Sequence, residues 1–147
     1  MKISGDPPER APFEILEHPA DVGFLAHGAN LRQLFINSAQ ALASLACDLE
    51  TVRDAESREI AVTGEDVESL LYAWLAEILA IADGERFVFC RFKIQDLSDR
   101  SVSGIAYGEP FDRSRHRARV AIKAVTYHQF AVTRTPEGFE ARVFLDL

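Results

Sequence analysis

The sequence predicts an α+β fold, with a mixed β-sheet and two main helices packed on one face of it. Two segments space their apolar residues as i, i+3, i+4 and i+7, which is the pattern of an amphipathic helix. Most of the remaining chain alternates apolar and polar residues, as half-buried strands do. A strand–helix–strand–strand order over residues 60–107 is flanked by segments 22–45 and 125–145, which spell the same order. The pattern therefore indicates a nested duplication, with one unit inserted into the other.

Length and composition favour one domain. A chain of 147 residues with 48% hydrophobic content is long enough to bury a substantial core. We assign residues 13–147 to this single domain. Residues 1–12 are polar and rich in proline, so they are predicted to form a flexible N-terminal segment.

Capping residues predict where the two helices begin and end. The first is expected to begin after Asn30, which makes a capping-box pattern with Gln33. The second is expected to begin near Thr63 and Asp66 and to end at Gly84, since glycine readily takes the left-handed conformation at a helix end. Both apolar faces are predicted to be core, and they contain Leu31, Leu34, Phe35, Ala39, Leu42 and Leu45 in the first helix and Val67, Leu70, Leu71, Trp74, Leu75, Ile78 and Leu79 in the second.

The strands are predicted from alternation and from turn residues. Ser98 to Arg100 (SDR) and Thr135 to Gly138 (TPEG) have the composition of hairpin turns. The predicted strands cover residues 13–16, 22–27, 60–62, 86–94, 102–107, 125–134 and 139–145.

Charge and cysteine content restrict the class of protein. The chain has 16 Lys and Arg against 23 Asp and Glu, a net charge of −7, which disfavours strong direct binding to nucleic acid. No stretch reaches the roughly 18 apolar residues of a membrane span, and residues 1–12 lack the apolar region of a signal peptide. Cys47 and Cys90 lie in apolar segments without a Cys-x-x-Cys pattern, so buried free thiols in a reducing compartment are expected. A soluble, cytoplasmic protein is predicted.

Familiar catalytic signatures are absent from the sequence. It contains no Walker A motif, no Gly-x-Gly-x-x-Gly, no Gly-x-Ser-x-Gly and no His-Glu-x-x-His. No two of the four histidines share a helix face at ligand spacing, which argues against a zinc site. His27 is expected to be a partly exposed turn residue, and His116 to be solvated in a charged loop.

Two carboxylates lie at positions that resemble the ends of buried strands. Asp21 follows His18 by three residues at a proline-interrupted strand edge, and Asp146 follows the apolar run at residues 143–145. If the two aspartates meet, they form a site for a hard cation such as Ca²⁺ or Mg²⁺. The alternatives are an ordinary turn at Asp21, with its carboxylate bonded to nearby backbone N–H groups, and a solvated chain end at Asp146.

Basic residues precede the last two strands. Residues 113–119 form an arginine-rich run, which is expected to be either a solvated loop or a docking patch for a phosphate or an acidic partner. Lys123 follows in an apolar context. Its side chain would either extend to solvent or reach the same cleft as Asp21.

Five motifs, in order along the chain, resemble those of the archease family. They are EHPADV at residues 17–22, YAWL at 72–75, GEPFD at 108–112, KAVTYH at 123–128 and LDL at 145–147. The resemblance runs from about residue 13 to residue 147, and KAVTYH is its most characteristic motif. It implies an archease-like fold of two nested strand–helix–strand–strand units, in agreement with the duplication above.

The resemblance also implies a function. Archeases are small, non-catalytic protein cofactors of the RtcB-type RNA ligase, which acts in tRNA splicing and RNA repair. That ligase joins RNA ends carrying a 2′,3′-cyclic or 3′-phosphate to a 5′-hydroxyl, through a guanylylated histidine. The family promotes this guanylylation and multiple turnover. By resemblance, the metal positions are Asp21, Asp146 and Leu147, with Ca²⁺ as the expected ion and Mg²⁺ or Mn²⁺ as alternatives.

The resemblance assigns activation to further residues and leaves two departures from the family pattern. Lys123 matches a lysine that the family uses in activation, and His18 and His128 lie in the same motifs, with a structural role for His128 equally compatible. Pro19 replaces the usual threonine, which removes a hydroxyl and a backbone donor beside the metal site. Residues 113–119 are more basic than the acidic, glycine-containing loop of the family.

Two other classes of function remain open from the residues. A stand-alone metal-dependent phosphoesterase could use two carboxylates and a lysine, although no nucleophile or general-base dyad is evident. A pure interaction module would hold the metal for structural reasons alone.

Overall fold

The computed structural model describes residues 11–18 and 21–147, with residues 17 and 18 described by their backbone alone. In these residues the chain forms seven strands, two α-helices and a short 3-10 helix, Leu49–Thr51. The strands and α-helices are β1 Phe13–His18, β2 Asp21–Gly28, α1 Leu31–Ala46, β3 Glu56–Thr63, α2 Val67–Glu85, β4 Phe87–Leu97, β5 Ser101–Pro110, β6 Ala124–Thr135 and β7 Gly138–Asp146.

The strands form two sheets. One has the order β1-β2-β7-β6 and the other has the order β3-β5-β4, and every pair of neighbours is antiparallel. The α+β class and the two helices are confirmed, but the single mixed sheet expected from the sequence is instead two antiparallel sheets. The parallel strands β3 and β4 are not neighbours, because β5 folds back from β4 and lies between them.

The topology confirms the nested duplication. In the inner unit, β3-α2-β4-β5, the last strand of the unit, β5, lies between β3 and β4. The outer unit, β2-α1-β6-β7, has the same arrangement, because its last strand, β7, lies between β2 and β6, and β1 adds one strand at the edge. The chain therefore completes its outer sheet only after the whole inner unit has been inserted.

Each helix contacts strands of its own unit and of the other unit, and so of both sheets. Trp74 of α2 is fully buried, and its indole N–H donates to the Phe35 carbonyl oxygen of α1 at 3.2 Å. Polar side chains on the same helices bond the edge strands: the Gln40 amide donates to the Cys90 carbonyl at 3.1 Å, and the Glu68 carboxylate accepts from the Val132 N–H at 3.0 Å. These contacts protect backbone groups that the outer strands of a sheet leave unpaired.

The helix ends confirm one prediction and correct another. Asn30 caps α1 and accepts from the Gln33 N–H at 2.9 Å. In α2 the cap is Asp66, which forms its capping box with Ser69, whereas Thr63 ends β3. The helix continues past Gly84 to Glu85, and the left-handed residue is Arg86, with φ 51°.

The two cysteines agree in part with the prediction of buried free thiols. Both cysteines are free; Cys47 is buried, whereas Cys90 is half-buried on β4. Burial raises the pKa of the Cys90 thiol. None of the helices in the described residues combines the length and the apolarity that a membrane span requires.

Candidate functional site

Asp21 and Asp146 lie at one end of the first sheet, on neighbouring strands. β2 begins at Asp21 and β7 ends at Asp146, and the register of the two strands pairs Val22 with Leu145. Continued by one residue, this register sets the two aspartates opposite each other. Opposed residues of an antiparallel pair project from the same face with their Cβ atoms about 5 Å apart. Because Val22 and Leu145 are buried against the helices, alternation directs both aspartates to the other face of the sheet.

The environment of Asp21 fits a cation. Its Oδ1 atom is buried and has no hydrogen-bond partner among the described residues. A buried carboxylate oxygen without a partner is costly, and a bound hard cation is one way to satisfy it. Asp146 is exposed, and its backbone oxygen accepts from the Lys123 N–H at 2.8 Å. Among the side chains that the structure describes, those of residues 11–16 and 21–147, no group of three or more His, Cys, Asp and Glu could hold a metal, so within this part of the chain the two carboxylates would need other oxygen ligands.

The other predicted site residues that the structure describes are placed relative to this pair as follows. Lys123 is exposed, and its backbone hydrogen bond holds it at the same end of the sheet as Asp146. Leu147, 46% exposed, follows Asp146 directly. The backbone of His18 pairs with Asp21 in the β1–β2 register, but its side chain lies outside the described part of the chain, as does Pro19.

His128 lies on an irregular stretch of β6. The β6–β7 register shifts between Thr126 and Ala131, and Gln129 has φ 52°. The His128 ring is exposed and its centroid is 5.7 Å from that of Phe144. Phe144 is two residues before Asp146 on the same strand, so it shares the face of the two aspartates. His128 therefore lies on the aspartate side of the sheet.

Tyr127, next to His128, is the most exposed large aromatic residue in the described part of the chain, at 65%. It stacks on Tyr72 of α2, with 3.8 Å between ring centroids and 9° between ring planes. The Tyr72 hydroxyl in turn donates to the Val125 carbonyl at 3.0 Å. Two of the resembling motifs, YAWL and KAVTYH, are thus joined by one aromatic stack that fixes the start of β6.

A buried ion-pair cluster holds the loop between β5 and β6. Glu109 accepts from the His116 ring at 2.8 Å, from the Arg115 guanidinium at 2.8 Å and from the Arg53 backbone N–H at 2.8 Å. The other His116 nitrogen, Nδ1, accepts from the Asp112 N–H at 2.8 Å, which places the ring proton on Nε2. Burial alone would raise the pKa of Glu109, but its three hydrogen bonds outweigh burial and lower that pKa from 4.5 to about 2.

This cluster corrects the prediction that His116 is solvated. The ring is buried, because β5 extends to Pro110 and brings Glu109 under the loop. The GEPFD motif contains Glu109, but a glutamate seven residues before a histidine forms no local pattern that predicts their contact.

The arginine-rich run, expected to be either a solvated loop or a docking patch, is tied through Asp48 to the residues that follow α1, while its Arg117 and Arg119 side chains stay exposed. The Asp48 carboxylate pairs with Arg117 at 3.3 Å and with Arg119 at 3.8 Å. Three backbone bonds run alongside: the N–H of residue 48 donates to the carbonyl of residue 117, and the N–H groups of residues 119 and 120 donate to the carbonyls of residues 46 and 45. The segment that leads to Lys123 is therefore held against the end of α1.

His27 also differs from its prediction as a partly exposed turn residue. It is buried, with Nδ1 3.5 Å from a Glu140 carboxylate oxygen and Nε2 4.0 Å from one of Glu14. β2 continues to Gly28 between two neighbouring strands, so His27 lies inside a sheet instead of at a turn. Its two ring nitrogens therefore face different carboxylates, and among the described residues neither nitrogen makes a hydrogen bond.

Comparison with known proteins agrees with this architecture. Residues 13–147 match the model of the Archease protein family. The chain is 34% identical to the protein archease of Methanosarcina acetivorans over 145 residues, which cover 96% of this chain and 99% of that protein. It is 38% identical to the protein archease of Sulfurisphaera tokodaii over 121 residues, covering 82% of this chain and 87% of the relative.

Two solved structures share the fold. The solution structure of protein 1598 of Methanobacterium thermoautotrophicum has a TM-score of 0.78 and 38% identity, and covers 92% of this chain and 99% of that one. The crystal structure of an archease from Thermotoga maritima has a TM-score of 0.63 over 97% of this chain and all of that one, and at 19% identity it speaks for the fold alone. The family match spans the whole domain, and this chain belongs to the archease family.

Proposed function

We propose that this chain is a non-catalytic activator of an RtcB-type RNA ligase, promoting the ligase's guanylylation and multiple turnover in tRNA splicing or RNA repair. Family membership supports a protein cofactor, and the resemblance of the KAVTYH and LDL motifs supports this partner. The two free cysteines suit the reducing cytoplasm where we expect it to act.

The observation that carries the proposal is the opposition of Asp21 and Asp146 at one end of the first sheet, with a buried, unsatisfied Oδ1 on Asp21 among the described residues. We call this end, with Lys123 and Leu147, the acidic tip. The two carboxylates and the backbone oxygen of Leu147 would hold a divalent cation, with Ca²⁺, Mg²⁺ and Mn²⁺ all suited to oxygen ligands. Such an ion supplies positive charge to phosphate oxygens.

The other residues of the tip have roles that follow from their positions. The exposed Lys123 ammonium provides a point charge for a phosphate. His128, on the aspartate side of the sheet, and His18, whose backbone pairs with Asp21, would contact the ligase or the nucleotide. The backbone bond from Lys123 to Asp146 keeps the cationic and anionic groups of the tip in register.

The geometry of the buried histidine favours an activator over a phosphoesterase. Among the described residues, His116 makes the one hydrogen-bonded histidine–carboxylate pair, with Glu109. Both of its ring nitrogens are engaged, one with Glu109 and one with the Asp112 N–H. The His116 side chain has no exposed surface, so a substrate cannot come within hydrogen-bond reach of it, and this pair supplies no general base.

The test is ligase guanylylation with purified proteins. Asp21→Asn and Asp146→Asn are each expected to abolish stimulation, because each removes an anionic ligand, while the melting temperature stays near that of the wild type. Asp96→Asn, an exposed position at the far end of β4, serves as the matched control and should stimulate normally. Cation binding is followed separately by calorimetric titration with Ca²⁺ and Mn²⁺.

Three results would count against the proposal. Full stimulation by both tip variants would remove the acidic tip from the mechanism. Turnover of a phosphoester panel by the chain alone, lost in Asp146→Asn, would favour the phosphoesterase. In the third test the wild-type chain is stripped of metal, and the assay contains only the ions that the ligase itself requires. Full stimulation under these conditions would favour an interaction module whose metal is structural.

A further inference from the structure

A cleft of about 400 Å³ opens where both helices end. Its walls are the last turns of α1 and α2, the start of β4 and the segment that leads into β6. Small and apolar side chains line most of it, and they include Ala46, Leu79, Ala82, Phe87, Val120 and Ile122. A narrower apolar extension, reaching Leu42 and Ile78, continues from it between the helices. The apolar lining suits an apolar side chain.

Charged residues, Asp83 and Arg86, line one mouth of this cleft. An adjoining open depression of about 600 Å³ shares Arg86 and Phe111 with the cleft and adds Arg113 and Arg115. Arg115 is paired with Glu109 and sits 3.7 Å from the Asp112 carboxylate. In the described part of the chain, by contrast, neither Arg86 nor Arg113 lies within ion-pair distance of a carboxylate. Both side chains are exposed.

The charge of this mouth opposes that of the molecule. The chain carries a net charge of −7, yet the charged residues that line the cleft and the depression, three arginines with Asp83 and Asp112, carry a net charge of +1. Arginine beside apolar surface is typical of protein interfaces, where it pairs with carboxylates on the partner. The complementary occupant is therefore a segment with a large apolar side chain followed by acidic residues.

The cleft lies beside the acidic tip. Ile122 lines it, and the next residue, Lys123, belongs to the tip. A partner that engages the tip can therefore reach the cleft without crossing the molecule. Two adjacent contacts raise the overall affinity by making the second contact intramolecular.

We propose that this cleft is a second docking site for the ligase, taking a segment of it that inserts an apolar side chain and pairs its carboxylates with Arg86 and Arg113. The inference rests on the proposed function, since it names the same partner. It separates two tasks: the cleft and its arginines hold the partner, whereas the acidic tip acts on the reaction.

The experiment measures the Kd between the full chain and the RtcB-type ligase, by biolayer interferometry at low and at physiological salt. Arg86→Glu combined with Arg113→Glu is expected to weaken binding about 10-fold or more, with the larger loss at low salt. Lys93→Glu combined with Arg100→Glu reverses two exposed charges away from the cleft and should change Kd less than about 3-fold. Asp146→Asn should bind through the cleft yet fail to stimulate guanylylation.

A second variant tests the apolar half of the site without changing charge. Ala121→Trp places a large ring on the exposed lip of the cleft and is expected to weaken binding about 10-fold by filling the space. Ala55→Trp, at an exposed position before β3, is the control. Circular dichroism and melting curves confirm that each variant is folded.

Each outcome decides the proposal. Unchanged Kd in the double arginine variant and in Ala121→Trp, with stimulation still abolished by Asp146→Asn, overturns the cleft and leaves the proposed function intact. A wild-type chain that neither binds nor stimulates the ligase overturns both. Binding of a 5′-hydroxyl RNA oligonucleotide to the chain alone, lost in the double variant, assigns the arginines to RNA and also overturns the inference.

Discussion

Glu109→Gln tests whether the buried cluster under the β5–β6 loop stabilises the domain. Oε1 of Glu109 accepts from Arg115, and Oε2 accepts from His116 and from the Arg53 N–H. Glutamine has the same shape but replaces one oxygen by an NH₂ group. Because every partner is a donor, the amide NH₂ must face another donor in either orientation, and at least one charge-assisted hydrogen bond is lost.

The size of the effect follows from the pKa of Glu109. Folding lowers that pKa from 4.5 to about 2, which at 1.36 kcal/mol for each pH unit corresponds to about 3 kcal/mol. Arg115 is partly exposed, so solvent screens its contribution and we expect a loss of about 2 kcal/mol. Since the folded-state pKa is depressed, this stability is fully present above pH 4.5 and is lost as the pH falls toward 2.

Urea denaturation at pH 7 and at intervals down to pH 2.5 measures this quantity. The variant should lose about 2 kcal/mol at pH 7, or about 6 °C in melting temperature. Its free energy of unfolding should also fall less steeply with acid than that of the wild type. Glu59→Gln, at an exposed position on β3, is the control and should change stability by less than about 0.5 kcal/mol. A Glu109→Gln variant that matches this control, with the wild-type acid dependence, would refute the reasoning.

Three further substitutions test the backbone near the tip and the cleft. Gly23→Ala should lower the free energy of unfolding in urea by about 2 kcal/mol, because a Cβ atom there would collide with the Val143 carbonyl and lie 2.8 Å from the Phe144 ring. Gly84→Ala is the control: its Cβ would have no atom within 4 Å, so the free energy of unfolding should rise by about 0.5–1 kcal/mol. Equal losses in the two variants would contradict the packing argument. Arg86→Gly should raise stability by about 0.5–1 kcal/mol, because φ is 51° and glycine takes this conformation without strain, while it weakens ligase binding. A destabilised Arg86→Gly variant with wild-type affinity would contradict both expectations.

The elements predicted best are those whose signal is local. The prediction of α1 from its apolar spacing and of its Asn30 cap is confirmed, because a cap and a helical face are properties of residues that are near one another in the chain. The end of α2 was predicted wrongly for the opposite reason, since Arg86, not Gly84, is left-handed. The Arg86 carbonyl accepts from the Phe111 N–H at 2.8 Å, and this contact with the residue after β5, 25 positions away, is one that no local pattern reports.

The site shows the same division. The sequence placed Asp21 and Asp146 at the ends of buried strands, and the structure sets them opposite each other because β7 pairs with β2 after the inner unit has been inserted. Whether they bind a metal stays a prediction. His27 and His116 were predicted to be exposed, and both are buried by partners that lie on other strands or across a loop.

The sequence by itself determined the α+β class, the two amphipathic helices, the nested repeat and the motifs that indicate the archease family, because periodicity and motif spacing are written in neighbouring residues. Only the tertiary structure decided that the strands form two antiparallel sheets, that Glu109 and His116 form a buried pair, and that Arg86 and Arg113, without a carboxylate partner among the described residues, lie at an apolar cleft and its adjoining depression beside the acidic tip. Each of these depends on which distant segments pack together, and their energies come from burial and pairing that exist only once the chain has folded.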